Sequence, residues 1–185
     1  MIPSRNKKYL PILSLFFLLS FWGRADAALL YFSPSSGNQT TGNILNVNVL
    51  VNTQGKTINN ADATIRFPAN LLEVVSVSKS GSIFSLWVEE PSFSNTAGTI
   101  SLNGGIPTPG FTGSAGRVAS IAFRLKAPGS ASLVFTSGAV RANDGYGTDV
   151  LSSLGTATYT ISPAPVVPPP VPTPVIPSPS SDVEP

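Results

Sequence analysis

The sequence predicts an all-β fold, a two-sheet antiparallel sandwich. Three observations carry that expectation. Apolar and polar residues alternate with a period of two in several stretches, above all Asn43–Asn52 and Asn60–Phe67, which is the mark of strands with one dry and one wet face. The connections are rich in Gly, Pro, Asn, Ser and Thr, as at Asn103–Gly116 and Ala127–Ser130, the residues that turn a chain. Beyond the first 27 residues no stretch combines a helical period with caps, and strands following strands without helices between them stack as two sheets.

The strands follow in order. Leu29–Ser33 is the first. In Asn43–Asn52 the residues Leu45, Val47, Val49 and Val51 point inward, and Asn46, Asn48 and Asn52 point outward. In Asn60–Phe67 the inward set is Ala61, Ala63, Ile65 and Phe67, and the outward set is Asn60, Asp62, Thr64 and Arg66. Pro68 removes a backbone donor and turns the chain. Leu71–Lys79, dense in β-branched residues over Leu71–Val77, reads as a strand buried on both faces. Ile83–Glu89 is expected to place Phe84, Leu86 and Val88 inward and Trp87 outward. Thr99–Asn103 is short. After Gly116 a long strand sets Ala119, Ile121, Phe123 and Leu125 inward, Ala131–Thr136 follows, and Thr156–Ile161 closes with Ala157, Tyr159 and Ile161 inward. Nine strands over residues 28–162 can bury a sizeable core without disulfides.

The two ends are different material. Residues 1–27 predict a secretory signal peptide: Arg5, Lys7 and Lys8 precede the apolar run Tyr9–Trp22, and Ala25 and Ala27 stand where a signal peptidase reads small residues. Pro11 interrupts that run, which also falls short of the roughly 20 residues of a membrane span. Ten of the 23 residues in 163–185 are proline, a composition that favours an extended linker or tail over a packed core. The expected protein is therefore secreted, either extracellular or at the cell surface.

Composition narrows the chemistry. The chain has no His and no Cys, which removes the commonest general base and metal ligand and all disulfide or thiol chemistry. Charged residues make up 11% of it, against about 25% in typical soluble domains. Residues 28–185 carry seven basic and eight acidic groups, a net charge of −1, which gives no electrostatic footprint for nucleic acid. Glu89 and Glu90 are adjacent, so in a strand they point to opposite faces and do not converge as a glycosidase pair. No enzyme is expected.

Four segments in order resemble a known family. They are TGNILNVNVLVNT, NNADATIRFPANLLEVVSV with its N-x-D-x-x-x-R-aromatic pattern, GSAGRVASIAFRLKAPGSASLVF, and VRANDGYGTDVL. Together they make residues 29–161 resemble a cohesin domain, the receptor module of cellulosome scaffolds, and more distantly the carbohydrate-binding modules that share its sandwich. The resemblance implies a nine-stranded antiparallel β-sandwich of jelly-roll topology and a non-catalytic role. One of its faces would dock a dockerin, a small calcium-loaded helical module. The family's Asn-x-Asp on the third strand falls here on Asn60 and Asp62. The chain departs from the familiar scaffolds in carrying a single such domain.

The candidate site residues fall in three groups. Asn60, Asp62, Thr64 and Arg66 form an outward row, either a partner-binding patch or a solvated strand face. Trp87 and Tyr146, with Phe93, are candidate exposed aromatics for an alternative reading, polysaccharide binding. A third alternative is a structural component of a surface or matrix with no discrete ligand. Asn143, Asp144 and Asp149 offer hard oxygen ligands and make a calcium candidate, but without the spacing or closing Glu of an EF-hand. The other reading of that loop is a tight Gly-rich turn in which Asp144 caps backbone amides.

Overall fold

The computed structural model describes residues 27–165. The signal peptide expected over 1–27 and the proline-rich tail expected over 163–185 lie almost wholly outside the described residues. Eleven strands form: β1 (Ala28–Ser33), β2 (Ser36–Thr40), β3 (Ile44–Asn52), β4 (Ile58–Arg66), β5 (Leu72–Ser78), β6 (Leu86–Ser94), β7 (Thr99–Gly105), β8 (Gly116–Leu125), β9 (Gly129–Ala142), β10 (Leu151–Leu154) and β11 (Thr156–Ser162). They build a five-stranded sheet of order β10-β1-β3-β8-β5 and a six-stranded sheet of order β2-β11-β9-β4-β7-β6. No helix occurs among the described residues.

The core lies between the sheets and is built by the period-two pattern. Leu45, Val47, Val49 and Val51 of β3 are buried, as are Ala61, Ala63 and Ile65 of β4, Phe67 just after it, and Ile121, Phe123 and Leu125 of β8. Asn46, Asn48 and Asp62 keep the outward parity, as expected from the cost of placing them inside without partners. Phe32 stacks on Phe135 with centroids 4.3 Å apart, and Phe67 meets Phe123 edge-on at 5.5 Å. Ala157, Tyr159 and Ile161 close the six-stranded sheet's inner face.

The structure corrects the expected fold in four places. First, there are eleven strands rather than nine. β2 has the sequence SGNQT and no apolar residue to announce it; backbone pairing to β11 holds it. β10 is four largely exposed residues. Second, the sandwich is not wholly antiparallel, because β1 pairs with β10 and β11 pairs with β2 in parallel. Third, β5 is not buried on both faces. Its pairing with β8 shifts between Val74 and Ser76, and Val75 is 46% exposed. Fourth, the parity expected for Ile83–Glu89 holds at Phe84 and is inverted from Leu86 onward. Ile83–Ser85 is not a strand, and Phe84 swings into the core over Gly104, where a Cβ would stand 2.6 Å from the Phe84 ring. The strand starts only at Leu86, so Leu86 and Val88 face solvent, while Trp87 turns inward against Phe84 with ring centroids 6.3 Å apart.

Candidate functional site

The outer face of the six-stranded sheet assembles the predicted row into a grid. β4 is flanked by β9 on one side and β7 on the other, and β6 lies beyond β7. Cross-strand register then sets four ranks: Arg141–Asn60–Gly105–Leu86, Ala139–Asp62–Asn103–Glu89, Ser137–Thr64–Ser101–Ser92, and Val134–Arg66–Thr99–Ser94. Opposed residues in such ranks share a face and touch. Asn60, Asp62, Thr64 and Arg66 are therefore one column of a continuous surface.

The central column is held in place. Asn60 Nδ2 donates to Asn103 Oδ1 at 3.1 Å and to the Gly104 carbonyl at 2.8 Å. With its nitrogen committed to the neighbouring β7, Asn60 presents its Oδ1 as the acceptor. Arg141 Nη2 stands 3.7 Å from Asp62 Oδ2, with side chains 45% and 35% exposed. Asp62 and Glu89 flank a depression of about 170 Å³ whose walls include Thr64, Ser101 and Asn103. The face carries acids (Asp62, Glu89) and bases (Arg66, Arg141) in equal number, so it offers local hydrogen-bond directionality rather than a field of one sign.

An apolar strip borders this polar grid. Leu86 is 58% and Val88 72% exposed on β6. Val88 falls where the pairing of β6 with β7 slips between Trp87 and Glu89, so it is the extra residue of a bulge, pushed outward. The sequence reading missed Leu86, Val88, Glu89, Asn103 and Arg141 as parts of this surface. One signal was present in Gly104–Gly105, since glycines inside a strand mark a close approach of another group. Here that group is Phe84, which reverses the parity of Leu86, Trp87 and Val88.

The remaining candidates are scattered. Trp87 is half-buried against Phe84, and the Lys79 ammonium sits 5.8 Å from its ring centre while bonded to Glu90 at 2.6 Å. Phe93 is 44% exposed on β6, and Tyr146 is 92% exposed on the loop after β9. Trp87 and Tyr146 therefore form no common sugar platform. In the 143–149 loop, Asp144 Oδ1 accepts from the amides of Tyr146 and Gly147 at 2.9 and 3.1 Å, and Asp149 Oδ1 accepts from those of Val140 and Leu151 at 3.0 Å each. Asn143 Nδ2 donates to the Pro109 carbonyl at 3.1 Å. Hydrogen bonds, first from the Thr148 side chain and then from the Tyr146 amide, hold the Asp144 carboxyl below its usual 3.8. The loop has the geometry of an amide-capping turn. Among the described residues no three His, Cys, Asp or Glu side chains gather to hold a metal ion.

No family model and no curated protein matches the sequence. Solved structures do. The chain is similar to a non-cellulosomal cohesin from the hyperthermophilic archaeon Archaeoglobus fulgidus, with 18% identity and a TM-score of 0.60 over 74% of this chain and 91% of that one. It is similar to the seventh ScaB type I cohesin from Pseudobacteroides cellulosolvens, with 19% identity and a TM-score of 0.60 over 77% of this chain and 96% of that one. It is also similar to a chain of the Coh-OlpA–Doc918 type I cohesin–dockerin complex from Clostridium thermocellum, with 16% identity and a TM-score of 0.59 over 74% and 99% of the two chains. The described domain has the cohesin fold.

Proposed function

We propose that the cohesin-fold domain is a secreted, non-catalytic docking module that binds a dockerin-type protein partner through the outer face of its six-stranded sheet. One observation carries the choice of face. Asp62 and Glu89 flank a shallow polar depression floored by a rigid sheet, directly beside the exposed pair Leu86 and Val88. Such a surface supplies both parts of a protein contact. The apolar strip gives affinity through burial, about 1.5–3 kcal/mol for each Leu or Val fully covered. The depression fixes orientation by accepting a hydroxyl or cationic side-chain tip at Asp62 and Glu89, with the Asn60 oxygen on the next rank. Short side chains on paired strands lose little freedom when they bind. The resemblance of Asn60 and Asp62 to the family's Asn-x-Asp supports the same face.

Titration calorimetry against a panel of calcium-loaded dockerin modules, alongside capture from the secretome of the producing cells, tests this reading. The Asp62→Ala variant keeps its melting temperature and loses about 2–5 kcal/mol of binding, the usual cost of truncating one member of a buried charged contact. Binding of every partner at parental strength by Asp62→Ala would remove this face from the interaction. Absence of any protein partner would leave the domain as a structural surface component. Polysaccharide binding centred on Trp87 has no support in the geometry, because that ring is turned into the core.

A further inference from the structure

The opposite side of the molecule carries an open groove of about 610 Å³ along β1, at the fork where β1 passes through Pro34 to β2 and β10 passes through Gly155 to β11. Its volume falls in the range of roughly 300–1,000 Å³ typical of small-ligand sites. None of its nine lining residues is charged, and five of them, Tyr31, Ser33, Ser35, Ser36 and Thr156, carry hydroxyls. The remaining walls, among them Leu29 and Pro34, are apolar.

Two features show how the groove is shaped. Tyr31 starts on β1, yet its hydroxyl donates to the Ser114 carbonyl at 3.0 Å, in the segment that leads into β8. Because β3 lies between β1 and β8, the phenol ring is drawn across the outer surface of β3 and pinned there. Gly155 is the second feature. A Cβ at that position would stand 3.1 Å from Tyr31 Cβ and 3.3 Å from Tyr31 Cα, so the missing side chain keeps the groove open beside the tyrosine.

We propose that this groove binds a neutral polysaccharide chain, independently of the docking face. The occupant follows from chemical complementarity. A charged ligand would leave its charge without a counter-ion there. An aliphatic ligand would strip water from hydroxyls and return no hydrogen bonds, at a cost for each group. A pyranose chain matches both components: its ring hydroxyls exchange donors and acceptors with the serines and Thr156, and its C–H faces pack on Tyr31, whose ring face is electron-rich. The chain would then hold a protein on the outer face of the six-stranded sheet and a polysaccharide at the fork between the two sheets.

Native gel electrophoresis with hydroxyethylcellulose, xylan, galactomannan or laminarin cast into the gel tests the proposal. At least one of the four polymers retards the parent protein. Ser35→Glu, which places charge and bulk in the groove at an exposed position outside the core, reduces that retardation at least tenfold without changing the melting temperature. Tyr31→Ala also reduces the retardation, at some cost in melting temperature from the lost Ser114 bond, Tyr31→Phe keeps most of the binding, and Asp62→Ala keeps all of it, which separates this site from the docking face. Lack of retardation by all four polymers overturns the proposal, as does retardation that survives Ser35→Glu. Self-association that is seen by sedimentation and abolished by Ser35→Glu would also overturn it, by assigning the groove to a second copy of the chain.

Discussion

β4 and β6 lie in the same sheet, one strand apart, and are built on opposite terms. β4 is paired along both edges, with β7 and β9, and every inward side chain from Ala61 to Ile65 is buried. β6 is paired on one edge only, its register slips twice, and Leu86, Val88 and Phe93 are exposed. A strand fixed on both sides can hold polar groups in a set geometry, which is how Asn60 and Asp62 are presented. A strand with one free edge and a bulge can expose apolar groups that a regular interior strand would bury. Under the proposed docking role, the difference would give directionality to β4 and adhesion to β6, within one continuous surface.

Substitutions test that division, in decreasing order of effect. Ile65→Ala on β4 should cost about 2–5 kcal/mol of folding stability, because it opens a cavity at a fully buried position. Leu86→Ala on β6 should stay within about 0.5 kcal/mol, as surface changes do. Urea unfolding of the two variants measures both, and a similar loss in each would show that β6 contributes to the core as β4 does. For binding the order reverses between strands: the double change Leu86→Ser, Val88→Ser should weaken a dockerin-type partner at least tenfold by calorimetry with stability unchanged. Unaltered affinity would confine the contact to the polar grid.

Two ionisable groups extend the contrast between interior and rim. Tyr159 has no exposed surface, and its hydroxyl donates to the Pro34 carbonyl at 2.5 Å. Burial pushes its phenol from 10.0 up to about 12. A raised value means the protonated form is favoured by folding, so the contribution is complete below pH 10 and is lost as pH rises through about 12. Alkaline unfolding curves should show that loss, and Tyr159→Phe should flatten it. Asp144 is exposed and shifted the other way, so its contribution is present above pH 3.8 and fades as acid protonates it. Its Oδ1 already accepts from two amides and the carboxyl is bonded by the Thr148 side chain, so calcium or a chelator should leave the melting temperature unchanged. A calcium-dependent rise would restore Asn143, Asp144 and Asp149 as ligands.

Legibility in the sequence followed the same divide. The interior of β3, β4 and β8 was readable residue by residue, because a one-residue slip there would bury asparagine or aspartate. Asn60 and Asp62 were readable for the same reason, as the outward parity of a strand with a clear inward one. β6 was not, because its parity is set by Phe84, a loop residue that fills the space over Gly104. β2 was invisible because pairing with β11, not side-chain burial, makes it a strand. β9 runs to Ala142, past the expected end at Thr136. Gly138 looks like a break in sequence but sits where a Cβ would press on Leu30, Leu154 and the Asp62 carbonyl, each at 3.3 Å.

The parallel pairing at the two ends of the domain has a mechanical consequence. β1 runs alongside β10, and β11 runs alongside β2. The chain enters at the start of β1 and leaves at the end of β11. Tension applied through the flanking segments therefore pulls each terminal strand along its own axis. The backbone bonds of β1 to β3 and β10, and of β11 to β9 and β2, lie across that pull, and they share the load in shear rather than opening one after another. Single-molecule stretching from both ends should show one high-force rupture, whereas pulling from a site on β6, at a free edge, should peel the sheet at lower force. A domain built this way resists drag applied through its two ends, which is a different demand from stability at equilibrium.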